Sequence, residues 1–349
     1  MYRHFRYVIV LSLALLASLS RAGDWTQFRG PGGLGASDET GIPVHWSASE
    51  NIVWKQDLPG PGASSPITLQ GRVFVTCYSG YGLEPAAGDQ QDLRRHLLCF
   101  DRATGDLRWN REFEPKLPEH NYQGEGSYHG YAASTPTTDG ERLYVFFGKS
   151  GVFCFDLDGN QVWQTSVGDG TNGWGSGTSP VLHGRLLLIN ASVESGSLVA
   201  LNRLTGAEVW RAGGIHAAWN TPLVVAGADR NEVLVSVESR VLSFNPDDGQ
   251  PLWNADGVHR YVCPSVVAHK GVAYAIGGGH TSLAVRLGGS GDVTESHGVW
   301  RKSKGSNVGS PIYHAGHLYW AGDGGGYVCC QNAADGVTVF EQRLEPESG

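Results

Sequence analysis

Six tryptophans return along the chain at a spacing that one globular core does not explain. Trp54, Trp109, Trp163, Trp210, Trp253 and Trp300, with Phe340 in the next equivalent place, are separated by 55, 54, 47, 43, 47 and 40 residues. One four-stranded sheet with its turns consumes about 40–50 residues, so a period of this size is the signature of a β-propeller blade. The phrase around each tryptophan repeats as well. It reads Phe100-Asp101-Arg102-Ala103-Thr104-Gly105-Asp106-Leu107-Arg108-Trp109, then Leu201-Asn202-Arg203-Leu204-Thr205-Gly206-Ala207-Glu208-Val209-Trp210, then Phe244-Asn245-Pro246-Asp247-Asp248-Gly249-Gln250-Pro251-Leu252-Trp253. A degenerate copy runs from Gln331 to Phe340 through Asp335-Gly336. Asp or Asn opens such a turn by bonding its own backbone, and Gly takes the positive φ that closes it. The tryptophan then falls on an outer strand, where its area packs against the neighbouring blade.

The start of each unit is equally regular: Ser65-Pro66, Thr135-Pro136, Ser179-Pro180, Thr221-Pro222, Cys263-Pro264 and Ser310-Pro311. Proline at the first residue of a strand costs no ladder bond, so these pairs mark the innermost strand of six complete blades. The segment from Ile52 to Leu58 reads as an outer strand with no inner strands before it. With 50 glycines and 11 tryptophans, the composition suits short strands joined by tight turns and leaves little room for long amphipathic helices.

In these phrases the chain resembles the tryptophan docking motif of pyrroloquinoline-quinone-like (PQQ-like) propellers, a family that holds both quinoprotein dehydrogenases and non-catalytic scaffolds. The resemblance covers residues from about Trp25 onward, and Trp25-Thr26-Gln27-Phe28-Arg29-Gly30-Pro31 looks like the opening of exported planctomycete-type members. It implies an all-β propeller of seven or eight four-stranded blades. Against that number six complete units fall one or two short, so the expectation is an open ring with raw strand edges or a domain incomplete at its C-terminal side.

Residues 1–22 have the layout of a secretory signal peptide: Arg3, His4 and Arg6, an apolar run from Val8 to Leu19, and Ser20-Arg21-Ala22 before the expected cut. The run is shorter than the roughly 20 residues of a bilayer span, and no cysteine follows it to take a lipid. The expectation is therefore a soluble propeller domain over residues 23–349, periplasmic or secreted, with no membrane insertion. A net charge of −8 and the lack of any basic stripe argue against a nucleic-acid partner.

The tight connections of each meander fall on one face, and the long ones on the other: Ser79 to His96, Arg111 to Ala133, Gly168 to Thr178, Asn190 to Ser197, Gly277 to Ser282 and Arg301 to Gly309. Loops released from turn geometry are where binding resides. That face collects Tyr128, His129, Tyr131, Asn172, Trp174, His216, Trp219, Asn220, Tyr261, His280, Lys304, Asn307 and Asp323, several just before an innermost strand and so near the central funnel. Aromatics with amides and histidines suit a sugar, a peptide strand or a planar cofactor. For each residue alone the structural reading, a core cap or wet surface, is the stronger one; the cluster is what points to a ligand.

Specific chemistry finds little support. Cys329-Cys330 is similar to the adjacent-cysteine disulfide that lies over the cofactor of quinoprotein dehydrogenases. Yet Cys330 stands six residues before its turn glycine, as Cys99, Ala200 and Ser243 do, so the position calls for a small buried side chain. Neighbours on a strand also point to opposite faces. The calcium and quinone of those enzymes need carboxylates and an amide beside a catalytic aspartate, and no set here matches. No metal and no cofactor are expected, PQQ with calcium being the disfavoured alternative, and no catalytic residue is assigned.

Two readings of function result. The first is an exported, non-catalytic binding or scaffold propeller engaging a protein, peptide or glycan, similar to the propeller subunit of the outer-membrane assembly machine, with dimerisation across an open strand edge as a further expectation. The second is a quinoprotein-type oxidoreductase or a sugar-active enzyme using His129, His216 or His280 in the same funnel. The first is preferred.

Overall fold

The computed structural model describes residues 23–84, 88–124, 126–227, 229–278, 281–323 and 326–344. The expected signal peptide, residues 1–22, and His280 lie outside them.

Six antiparallel four-stranded sheets follow one another, each a simple meander. The first blade is Ile67–Leu69, Arg72–Ser79, Arg94–Asp101 and Leu107–Phe113; the second is Thr137–Thr138, Arg142–Phe146, Val152–Asp156 and Gln161–Thr165. The third is Val181–His183, Leu186–Ala191, Ser197–Asn202 and Glu208–Gly213; the fourth is Leu223–Ala226, Asn231–Val237, Arg240–Phe244 and Pro251–Asp256. The fifth is Val267–His269, Val272–Gly277, Thr281–Arg286 and Gly298–Lys302, and the sixth Ile312–His314, His317–Ala321, Tyr327–Asn332 and Thr338–Arg343. Gly291–Asp292 adds a short parallel strand to the outer edge of the fourth blade.

The apolar core is divided into slabs between neighbouring sheets. Leu188, Leu198 and Trp210 of the third blade, for example, pack on Val233, Val235 and Phe244 of the fourth. Five of the slabs are closed outside by a tryptophan that lies on the turn glycine of the following blade. The indole N–H donates to a backbone carbonyl there: Trp54 to Arg102 (2.9 Å), Trp109 to Leu157 (3.1 Å), Trp163 to Arg203 (3.1 Å), Trp210 to Pro246 (3.2 Å) and Trp300 to Ala333 (2.9 Å). The turns form as their residues require. Asp101 Oδ1 accepts from the N–H groups of Ala103 and Thr104, and Gly105 closes the turn at φ 79° with its α-carbon against the Trp54 ring. Opposite the outer-strand aromatic stands a small residue in every blade, Cys99, Cys154, Ala200, Ser243, Ala284 or Cys330, each followed by a register shift. Cys329 and Cys330 are both buried free thiols.

A belt of hydrogen bonds joins the blades near the axis. The N–H of Ser65 donates to Thr135 Oγ1 (2.9 Å), Thr135 to Ser179 Oγ (3.0 Å), Ser179 to Thr221 Oγ1 (3.0 Å), Thr221 to Ser265 Oγ (3.1 Å) and Ser265 to Ser310 Oγ (3.0 Å). The hydroxyl before each proline is thus the acceptor for the preceding blade. In the fifth blade the role passes from Cys263 to Ser265, on the other side of Pro264.

One expectation fails: Ile52–Leu58 forms no strand, and among the described residues no inner strands stand before it to pair with. Only Trp54 docks. In the sixth blade Thr338–Arg343 is exposed along its length, and Phe340 packs on Tyr319 of its own blade.

The N-terminal segment enters the axis. Trp25 pairs with Thr68 through two backbone bonds, and Thr26 O accepts from Thr138 N–H (3.0 Å). The chain then folds on itself, with Arg29, Gly30, Gly32, Gly33 and Gly35 all at positive φ, a conformation that explains the glycine run. The α-carbon of Gly33 approaches Leu223 of the fourth blade, and that of Gly35 approaches Ile312 of the sixth.

Candidate functional site

The long loops rise on one face and surround a central funnel of about 520 Å³. Ala63, Ala133 and Gly177 lie just before the inner strands, and their lack of bulk keeps the funnel wide. Its wall is aromatic. Trp174 lies edge-on to Tyr261 (ring centroids 4.1 Å, 86°) and tilts against Trp219 (5.1 Å, 41°), while Trp219 and Tyr261 are perpendicular at 6.4 Å. The three rings touch one another, so they make a continuous wall rather than a cage with space between its sides.

Each ring is fixed by its loop. Asn172 Oδ1 accepts from the N–H of Trp174 (2.9 Å), setting that loop as an Asx turn. The Trp219 indole donates to Gly175 O (2.8 Å), tying the segment before the third blade to that before the fourth, and Trp219 N–H donates to Val262 O (2.7 Å) beside Tyr261. Tyr128, His129, Cys263 and Val308 complete the rim, and Phe28 of the N-terminal segment is the floor.

The structure therefore brings together His129, Trp174, Trp219 and Tyr261, with Tyr128, from the residues expected on this face. Tyr131 and Asn220 are instead buried. Tyr131 donates to His120 O (2.8 Å) and packs edge-on to Tyr78, and the Asn220 amide donates to Ser236 O (2.6 Å) and Val262 O (3.2 Å), so both organise loops beneath the surface. Asn172 is exposed and spent on its turn. His216 is exposed beside Gly196, outside the funnel lining. Lys304 pairs with Glu341 (2.6 Å). Asp323 accepts from Ser306 Oγ (2.7 Å) and from the N–H groups of Asn307 and Val308, which makes it the latch of that loop. Phe28 was not visible as a site residue in the sequence; the glycine-rich run that follows it was the available signal.

Beside the funnel, between the first three blades, lies a buried polar cluster that no sequence motif announces. Arg95 pairs with Glu119 (2.8 Å), both side chains almost fully buried, and also donates to Tyr131 O (2.8 Å) and Ser150 Oγ (2.9 Å). Glu194 is buried near Ser176, and burial raises its carboxyl to about 7. Burial, with His129 and Arg95 nearby, lowers His120 to about 4, so its ring is neutral in the folded protein at pH 7.

The funnel lining has no Arg or Lys to meet the carboxylates of a quinone such as PQQ. Among the described residues no three His, Cys, Asp or Glu side chains gather as a metal site. These residues do not fit that cofactor with its calcium.

Comparison with known proteins agrees with the architecture. The family described as outer membrane protein assembly factor BamB matches residues 90–275 and 152–309. No curated protein matches the sequence. Among solved structures, BamB from Moraxella catarrhalis is similar with a TM-score of 0.55 at 16% identity, over 83% of this chain and 88% of that one. Quinohemoprotein alcohol dehydrogenase from Comamonas testosteroni is similar with a TM-score of 0.49 at 10% identity, over 94% of this chain and 74% of that one. At 16% identity the likeness to the Moraxella catarrhalis protein shows the fold alone.

Proposed function

Because the chain belongs to the family described as outer membrane protein assembly factor BamB, we propose that it is an exported, non-catalytic binding propeller. It engages a protein or peptide partner on its loop-rich face and takes an apolar side chain of that partner into the funnel. The observation that carries this reading is the wall of Trp174, Tyr261 and Trp219 around a funnel of about 520 Å³ whose lining is mostly apolar. A pocket of this size and composition suits recognition. Rigid aromatic rings give large contact area at low entropic cost. No cofactor enters this reading, and export rests on the layout of residues 1–22.

Two tryptophans in the wall supply the assay. Indole emission is followed while peptides rich in aromatic and aliphatic residues, and in parallel neutral oligosaccharides, are titrated into the purified chain. Saturable quenching by peptide that is lost in Trp174→Ala supports the proposal. Saturation by oligosaccharide alone would move the ligand class to glycans, and no saturation by peptide would sink the peptide reading.

A further inference from the structure

The axis holds a second cavity, of about 270 Å³, that shares Phe28, Thr221 and Ser265 with the funnel and is otherwise lined by the N-terminal segment and the inner strands of the third to fifth blades. Arg29 lines it. The guanidinium is held in place by carbonyls: Nε donates to Gly33 O (3.0 Å), and Nη2 donates to Leu34 O (3.2 Å) and to Pro311 O of the sixth blade. These bonds use Nε and Nη2, and Nη1 has no partner among the described residues. No carboxylate stands within ion-pair distance of Arg29 among them either. Desolvation lowers the group to about 10, still charged at neutral pH. The residue is half-buried, and a partly desolvated cation with no counter-charge among the described residues is offset only in part by carbonyl dipoles.

The neighbouring hydroxyls add donors. Thr221 Oγ1 accepts from Ser179 N–H and Ser265 Oγ accepts from Thr221 N–H, so each keeps its own hydrogen to give. Arg29 and two residues whose hydroxyls can donate therefore line one space. Such a set is matched by an acceptor carrying negative charge, because charge-assisted bonds from a planar guanidinium to an oxyanion are among the strongest available. The volume is several times the roughly 30 Å³ of one water, enough for a carboxylate or phosphate group with part of its hydration.

We propose that this cavity binds a small oxyanion, a carboxylate or phosphate group, through Arg29 Nη1 and the hydroxyls of Thr221 and Ser265. The aromatic wall is not part of this site, although the two spaces share Phe28, Thr221 and Ser265. The test is thermal unfolding of the full chain at constant ionic strength with acetate, inorganic phosphate or chloride. Acetate or phosphate is expected to raise Tm saturably and chloride is not, and the better of the two identifies the oxyanion. Arg29→Gln is expected to weaken binding about tenfold or more, the scale of one lost charge-assisted pair. Leu182→Phe, which fills the cavity from the third blade and leaves Arg29 and its carbonyls in place, is expected to abolish it. Equal effects of all three anions, or unchanged binding in both variants, would overturn the proposal. Should Arg29→Gln prevent folding, the ¹⁵N guanidinium resonance of Arg29 in the unsubstituted protein decides: a saturable shift with the stabilising anion supports the site, and an unmoved resonance refutes it.

Discussion

The Trp253 indole donates to the buried carboxylate of Glu232 at 2.7 Å, where its counterparts in other blades donate to a turn carbonyl. The fifth blade has no Asp-Gly turn to receive it. After Arg286 the chain makes an excursion through Gly291–Asp292, which pairs on the fourth blade, before its outer strand begins at Gly298. Glu232 fills the place of the missing carbonyl. It also accepts from Ser243 Oγ (3.1 Å) and Gly288 N–H (3.1 Å), with Arg230 at 3.5 Å.

Glu232→Ala leaves three donors without an acceptor in a buried slab. Each orphaned donor costs about 1–3 kcal/mol, and neighbours in one network do not add fully, so a loss of about 3 kcal/mol is expected. Urea unfolding measures it. Glu232→Gln keeps an acceptor oxygen and is expected to lose clearly less; equal losses would mean that the charge and not the hydrogen bonds holds this junction.

The docked tryptophans make a second expectation. A Cβ on Gly206, at φ +74°, meets the Trp163 ring and Thr165 Oγ1 at 2.7 Å, whereas one on Gly184, at φ +53°, meets nothing within 4 Å. Both alanine substitutions carry the strain of left-handed backbone, about 1–2 kcal/mol. Only Gly206→Ala adds overpacking, about 1–3 kcal/mol more. A difference in unfolding free energy between the two variants isolates the contribution of close approach to the docking, and no difference would remove it.

The repeat was legible because most blades write their turn, their tryptophan and their small buried residue locally, within about ten positions, the fifth having lost the turn and the sixth carrying Phe340 for the tryptophan. What joins distant parts was not. Arg29 reaches Pro311 across 282 residues, and the glycine run after Phe28 marks a tight fold of the chain without indicating that Phe28 floors a funnel built from other blades. Tyr131 and Trp174 look alike as loop aromatics, and only packing decides that one is buried under the loops and the other faces the funnel. The Arg95, Glu119, His120 and Glu194 cluster escaped for the same reason, since its members come from separate loops and strands of the first three blades.

That cluster carries opposing pH dependences. Glu194, raised from 4.5 to about 7 by burial, is protonated in the folded state where the unfolded chain has released its proton. Its contribution is therefore lost as pH rises from about 4.5 through 7. His120, lowered from 6.5 to about 4 by burial, works the other way, and stability is lost as pH falls through that range. Glu194→Gln removes the first dependence. At pH 8 it is expected to stabilise by roughly 3 kcal/mol and at pH 4 to change little, leaving the His120 rise visible between. A variant no more stable than the parent at pH 8 would show that Glu194 ionises there without cost, with Arg95 as its partner.

The hydroxyl belt gives a contrast that sequence equivalence alone predicts wrongly. By position before proline, Cys263 is the counterpart of Thr221 and Ser310, so alignment of the phrases assigns the junction between the fourth and fifth blades to its side chain. In the fold the acceptor for Thr221 N–H is Ser265 Oγ, at 3.1 Å. Ser265 is 5% exposed and Thr221 8%, so water replaces a lost partner there only in part. Ser265→Ala is accordingly expected to cost about 1–3 kcal/mol, the penalty of a buried N–H left unmade. Cys263→Ala keeps the belt intact and is expected to cost less than about 1 kcal/mol, a partly exposed thiol being a small loss. Amide hydrogen exchange at Thr221 separates the two further: fast in Ser265→Ala and protected in Cys263→Ala. The reverse pattern would place the junction on the cysteine and require the belt to run through the residue before proline in all six blades.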